Sequence, residues 1–63
     1  MERGQRYMIY EDPFTKQKEE GIAVLEYDLD MKKDNLVYWN VRMDDGTGDI
    51  VNRWIDINQE PIS

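Results

Sequence analysis

Four short apolar runs recur along the chain, each bounded by charged residues, glycine or proline, which is the spacing of short strands and not of helices. Tyr7-Met8-Ile9-Tyr10 is the first. Its period of two sets Tyr7 and Ile9 against Arg6, Met8 and Tyr10, so Tyr7 and Ile9 are expected inside. Glu11-Asp12-Pro13 ends it, because proline cannot donate to a ladder and restricts the residue before it. Phe14 to Glu20 reads as a polar connection with one aromatic; Lys16 to Glu20 suits a helix but is too short to hold one. Gly21 opens the second run, Ile22 to Tyr27, apolar on both faces, so Ile22 and Val24 compete with Ala23, Leu25 and Tyr27 for the interior. Asp28 to Asn35 is charged and reads as a loop.

Leu36-Val37-Tyr38-Trp39-Asn40-Val41-Arg42-Met43 carries the strongest strand signal, rich in β-branched and aromatic residues. Trp39, Val41 and Met43 share an apolar face and are expected in the core. Asp44-Asp45-Gly46-Thr47-Gly48 supplies two glycines for a tight turn. Asp49 to Ile55 then pairs back, which predicts a hairpin from about Leu36 to Ile55. Its second strand leaves open whether Val51, Arg53 and Ile55 or Ile50, Asn52 and Trp54 face inward. Pro61 limits the tail from Asp56 to Ser63 to a helical turn or a short edge strand.

Four strands joined by turns, without a good helix, predict an all-β fold, a small barrel or sandwich of antiparallel strands. Its 63 residues make one domain, with a core from about 4 to 57 and a short polar tail from 58 to 63. A chain of this size buries only about 60% of its unfolded surface. Packing must therefore hold it, with a partner or a second copy as the remaining source of stability.

Charge and composition narrow the function. Fourteen acids against eight bases give a net charge of −6, and there is neither cysteine nor histidine. Disulfides, Cys- or His-ligated metals, catalytic thiols and histidine-activated nucleophiles are excluded. General acid-base work would fall to Asp, Glu, Tyr or Lys, and no pair of them is tied to a cleft, so no enzyme and no cofactor is expected. The acidity argues against a long basic surface for nucleic-acid phosphates. No stretch approaches the roughly 20 apolar residues of a membrane span, and Met1 to Arg6 lacks a leader's apolar run, so the expected location is the cytoplasm.

Gly4-Gln5-Arg6-Tyr7-Met8-Ile9, Asp12-Pro13-Phe14 and Glu20-Gly21-Ile22-Ala23-Val24 together resemble the opening of SH3-like barrels of the KOW and Tudor type. Tyr38 to Gly46 is similar to the third strand and distal turn of that class. The likeness runs from Gly4 to Ile55 and implies a small SH3-like barrel of four to five short antiparallel strands. The connection from Phe14 to Gly21 is longer than the compact KOW pattern. The basic residues with which nucleic-acid-binding members meet RNA are mostly acids here. Such barrels host unrelated functions, so the resemblance implies a fold more than a role.

Aromatic and acidic side chains are the candidate chemistry. Tyr10, Tyr27, Tyr38 and Trp54 are candidates for one cluster near the loops at Pro13 and Asp30, as a cation cage or a peptide groove; the plainer reading is that such rings fill the core. Tyr10, Tyr38 and Trp54, flanked by Asp28, Asp30 and Asp34, make the expected partner-binding set. The rings would supply desolvated contact area, and the acids would steer a basic protein partner. Asp28-x-Asp30 is followed by Met31 and Lys32 where further oxygen ligands should come, so no metal site is expected. The expected function is a non-catalytic protein-interaction module. The alternatives are an acidic regulator that mimics nucleic acid at another protein's site, and KOW-like binding of nucleic acid through Arg6, Lys16, Lys18 and Arg42. A homo-oligomer is compatible with either interaction role.

Overall fold

A computed structural model of residues 1–63 has four strands: β1 (Arg6–Asp12), β2 (Gln17–Lys33), β3 (Leu36–Met43) and β4 (Ile50–Asp56). They form one antiparallel sheet in the order β1-β2-β3-β4. The fold is all-β, with no helix, and so no helix long and apolar enough to cross a membrane.

The expected hairpin of β3 and β4 forms, with a register unbroken from Arg42↔Ile50 to Leu36↔Asp56. Its turn is set by Asp45, whose Oδ1 accepts from the Thr47 amide at 3.0 Å and hydroxyl at 2.6 Å. Gly46 and Gly48 take the positive φ that the turn needs. On this hairpin Trp39, Val41, Met43 and Ile55 are buried, and Val37 and Val51 pack against them, which settles the inward face of β4. Tyr7 and Ile9 on β1 join this core as expected, and on β2 it is Ala23 and Leu25 that turn inward.

β2 departs most from expectation. It runs for 17 residues, taking in both Gln17–Glu20 and Asp28–Lys33, which sequence propensity assigns to connections. Pairing with neighbours on both sides overrides that propensity: β1 holds the first half, from Gln17 to Val24, and β3 holds the second, from Ala23 to Lys33. The strand bends because it is irregular. Ile9↔Gly21 is followed by Tyr10↔Glu19, leaving Glu20 as an extra residue. Leu25↔Val41 is followed by Tyr27↔Asn40, leaving Glu26 extra, and Leu29, Asp30 and Met31 bulge opposite Tyr38. Each bulge raises the local twist and curls the sheet.

The curl brings the ends of the sheet together. Lys16, just before β2, reaches Asp56 at the end of β4 (Nζ–Oδ2 3.5 Å). The tail crosses back to β1, where Gln59 Nε2 donates to the Met8 carbonyl and Ile62 N to the Arg6 carbonyl, both at 2.7 Å. The Arg6↔Ile62 bridge is all that forms of a fifth strand, and the barrel is not closed along its length.

Candidate functional site

Tyr38 and Trp54 face each other across β3 and β4, directly in register, on the side away from the core. Their ring centroids are 4.7 Å apart with the planes tilted by 32°, an offset arrangement of the kind aromatic pairs prefer. Both rings are half-buried. One register step along the same face, Asn40 Nδ2 donates to Asn52 Oδ1 at 3.0 Å. The outer face of the hairpin therefore runs from an aromatic pair to an amide pair.

On its other side Tyr38 is flanked by the β2 bulge. Asp28 and Lys32 are the paired residues on either side of it, and the intervening residues have no partner on β3. Asp28 Oδ1 accepts from the Asp30 amide at 2.8 Å, which fixes the left-handed backbone of Asp30 (φ 60°). Asp28 and Asp30 are both exposed in this bulge, but the pairing of Asp28 with Trp39 sets its side chain on the core side of the sheet and not on the side of the ring pair.

The six residues expected at the site are brought together in part. Tyr38 and Trp54 are in contact; Asp28 and Asp30 belong to the β2 bulge opposite Tyr38, with Asp28 itself paired to Trp39. Asp34 lies at the β2–β3 turn, exposed and at φ 54°, and is joined to the set only through that turn. Tyr10 stands on β1 opposite Glu19, half-buried, and forms no ring pair with Tyr38 or Trp54. Tyr27 leaves the cluster as well: it is 59% exposed and lies under the Arg3 guanidinium at 5.2 Å. The Glu26 bulge turns it outward. Phe14, 59% exposed in the β1–β2 turn, is a large apolar side chain that the expected set omits.

The ionic surface is mostly self-satisfied. Arg6 pairs with Asp44 (3.2 Å), Lys16 with Asp56 (3.5 Å), Lys18 with Glu11 (3.8 Å) and Arg42 with Glu26 (3.2 Å). These are the four cations that a nucleic-acid reading requires, and each already has a carboxylate partner. Arg3 shares Glu26, and only Lys32 and Lys33 lack an ion pair. No three carboxylates converge closely enough to hold a metal ion.

The strongest polar contact was not expected from the sequence. Arg53 projects from the inward side of β4 and meets Glu20 with two hydrogen bonds, Nε–Oε1 at 2.8 Å and Nη2–Oε2 at 2.9 Å. That hydrogen bonding holds the Glu20 carboxyl below its ordinary range, against the opposing effect of burial, and holds the guanidinium above its own. A legible signal existed: an arginine in phase with Val51 and Ile55 needs an acidic partner.

The surface has one concavity, an open depression of about 280 Å³ lined by Gly4, Gln5, Arg6, Pro61, Ile62 and Ser63. It follows the seam between β1 and the tail and contains none of the expected site residues. No family model, curated protein or solved structure matches this chain.

Proposed function

We propose that this chain is a non-catalytic protein-interaction module. It takes a basic or peptide-like partner on the outer face of β3 and β4, around Tyr38 and Trp54, and acts in the cytoplasm. The observation that carries this reading is the half-exposed ring pair beside a bulge that presents Asp28 and Asp30. Rigid rings give contact area at little cost in side-chain entropy, and they are enriched among the residues that dominate binding energy. The net charge of −6 speeds encounter with a cation-bearing chain and discourages acidic competitors.

The rival readings draw less support. A nucleic-acid mimic calls for carboxylates on one continuous face. The acids free of ion pairs are instead spread along the chain, at Glu2, Asp12, Glu19, the Asp28–Asp34 segment, the Asp45–Asp49 turn and Glu60. Direct nucleic-acid binding would have to break the ion pairs of Arg6, Lys16, Lys18 and Arg42.

An array of extended Lys- and Arg-rich peptides, with and without proline, tests the proposal, with tryptophan fluorescence to measure affinity. Binding should weaken about tenfold or more in Trp54→Ala and Tyr38→Ala, and should fall as salt rises. Binding that neither substitution changes would refute the assigned surface. Failure of every basic peptide to bind would refute the partner class.

A further inference from the structure

We infer that the free edge of β4 pairs antiparallel with the β4 edge of a second copy of this chain, centred on Asn52. β4 ends the sheet and pairs only with β3. Which of its backbone groups are free follows from two bonds at its ends. Met43 N donates to Asp49 O at 2.8 Å and Ile57 N to Asn35 O at 2.9 Å, so odd-numbered positions from 49 to 57 bond β3. No bulge interrupts the register between them. Ile50, Asn52 and Trp54 therefore turn their backbone N–H and C=O groups away from the sheet.

Natural edges are blunted by lysine, proline, bulges or inward charges. Of these, Ile50-Val51-Asn52-Arg53-Trp54-Ile55 has no lysine, proline or bulge and carries only an inward charge, Arg53, which Glu20 neutralises. Arg53 Nη1 donates to the Asn52 carbonyl at 2.8 Å, which occupies one of that oxygen's two lone pairs and leaves the other.

The sequence of the edge is complementary to itself. Across a two-fold axis at Asn52, each Ile50 faces the partner copy's Trp54, and Asn52 faces its own counterpart. Ile50 is 61% exposed, the most of any large apolar residue here, and gains an aromatic neighbour. The Tyr38–Trp54 stack then continues into Ile50 of the other copy. Asp49 falls opposite Ile55, and Asp56 falls opposite Gly48, so no carboxylate opposes a carboxylate. The remaining repulsion is the general one between two chains of charge −6, and salt screens it.

This pairing stands on the strand edge and not on the peptide-binding reading, and the two respond to salt with opposite sign: added salt strengthens the pairing and weakens a basic ligand. Sedimentation velocity from about 10 µM to about 1 mM should show a monomer–dimer equilibrium that salt shifts toward dimer. Asn52→Pro removes an outward N–H and Ile50→Lys puts a charge on the edge. Each should raise the dissociation constant about tenfold or more with the circular dichroism spectrum kept. In oxidising buffer Asn52→Cys should cross-link to a dimer, since paired positions lie about 5.5 Å apart between Cα atoms, whereas Ile50→Cys should not. A monomer throughout that range, a dimer indifferent to both edge variants, or equal cross-linking of the two cysteines would overturn the inference.

Discussion

Arg53 and Glu20 lie 33 residues apart and are joined by two hydrogen bonds that link β4 to β2 across the curled sheet. The bulge makes the contact. Glu20 is the extra residue between Ile9↔Gly21 and Tyr10↔Glu19, so its side chain leaves the alternation of β2 and swings toward β4. The pair thereby ties the β1–β2 hairpin to the far strand, where no backbone ladder exists.

Breaking that tie should cost more than an ordinary surface pair. The side chains are 35% exposed for Arg53 and 23% for Glu20, so solvent screening reduces the contact but does not cancel it. A charged, bidentate contact of this kind implies a loss of about 1–2 kcal/mol for Glu20→Gln or Arg53→Met. The domain has only about 3–9 kcal/mol in total at 63 residues. Urea denaturation should show a lower midpoint with an unchanged slope, and the double variant should lose less than the sum of the singles. Strictly additive losses would show that the two side chains do not interact in solution.

Gly21 is the backbone condition for the same contact. Its φ of +131° is one that L residues rarely adopt. A Cβ there would meet Met43 Cε at 3.5 Å, an ordinary contact, so the barrier to substitution is conformational and not steric crowding. Gly21→Ala should therefore destabilise by about 1–3 kcal/mol and weaken the Glu20–Arg53 pair as well. Thermal melts of Gly21→Ala alone and with Arg53→Met check this: the arginine substitution should cost less once the bulge is disturbed.

How much of this was legible differs by strand. β3 and β4 could be read closely, because Leu36–Met43 and Ile50–Ile55 are β-branched and aromatic and Asp45, Gly46 and Gly48 mark the turn between them. β2 could not. Its ends, Gln17–Glu20 and Asp28–Lys33, are charged, and they are strand only because β1 and β3 supply ladder partners. The same distinction holds at the candidate site. Tyr38 and Trp54 come together through a register the hairpin already implies. The bulge that carries Asp28 and Asp30 past Tyr38 is one that no spacing announces, and Tyr10 is separated from the rings by β2. Glu20 was hidden for the same reason, since straight alternation would point it outward.

Lys18 offers a test in which backbone geometry and strand propensity disagree in sign. It lies within β2 yet has φ 58°, in the left-handed region. Its ion pair with Glu11 spans 3.8 Å with the lysine side chain 80% exposed and contributes little. Lys18→Gly should leave stability unchanged or raise it by up to about 1 kcal/mol, because glycine enters this region without strain. Lys18→Val, the better strand former, should destabilise by about 1–2 kcal/mol. Chemical denaturation of the two variants ranks them, and a valine variant as stable as the glycine one would place Lys18 in ordinary extended backbone.

Acid should unfold the domain through a small set of carboxylates. Glu20 is held below its ordinary range by the Arg53 hydrogen bonds. Asp12 and Asp45 are held low by hydrogen bonds from the side chain and backbone of Thr15 and Thr47, and Asp56 by the Asn58 amide first and then Lys16. A group whose acid constant is depressed by folding binds fewer protons folded than unfolded, so its contribution is complete above the unfolded value and disappears as pH falls through the folded one. With unfolded carboxyls titrating near pH 4, stability should be level from neutrality down to about pH 5 and decline steadily below it. Glu20→Gln removes one depressed group and should make that decline shallower. Urea midpoints measured at half-unit steps of pH decide the matter; parallel acid limbs for Glu20→Gln and the parent protein would remove Glu20 from the titrating set.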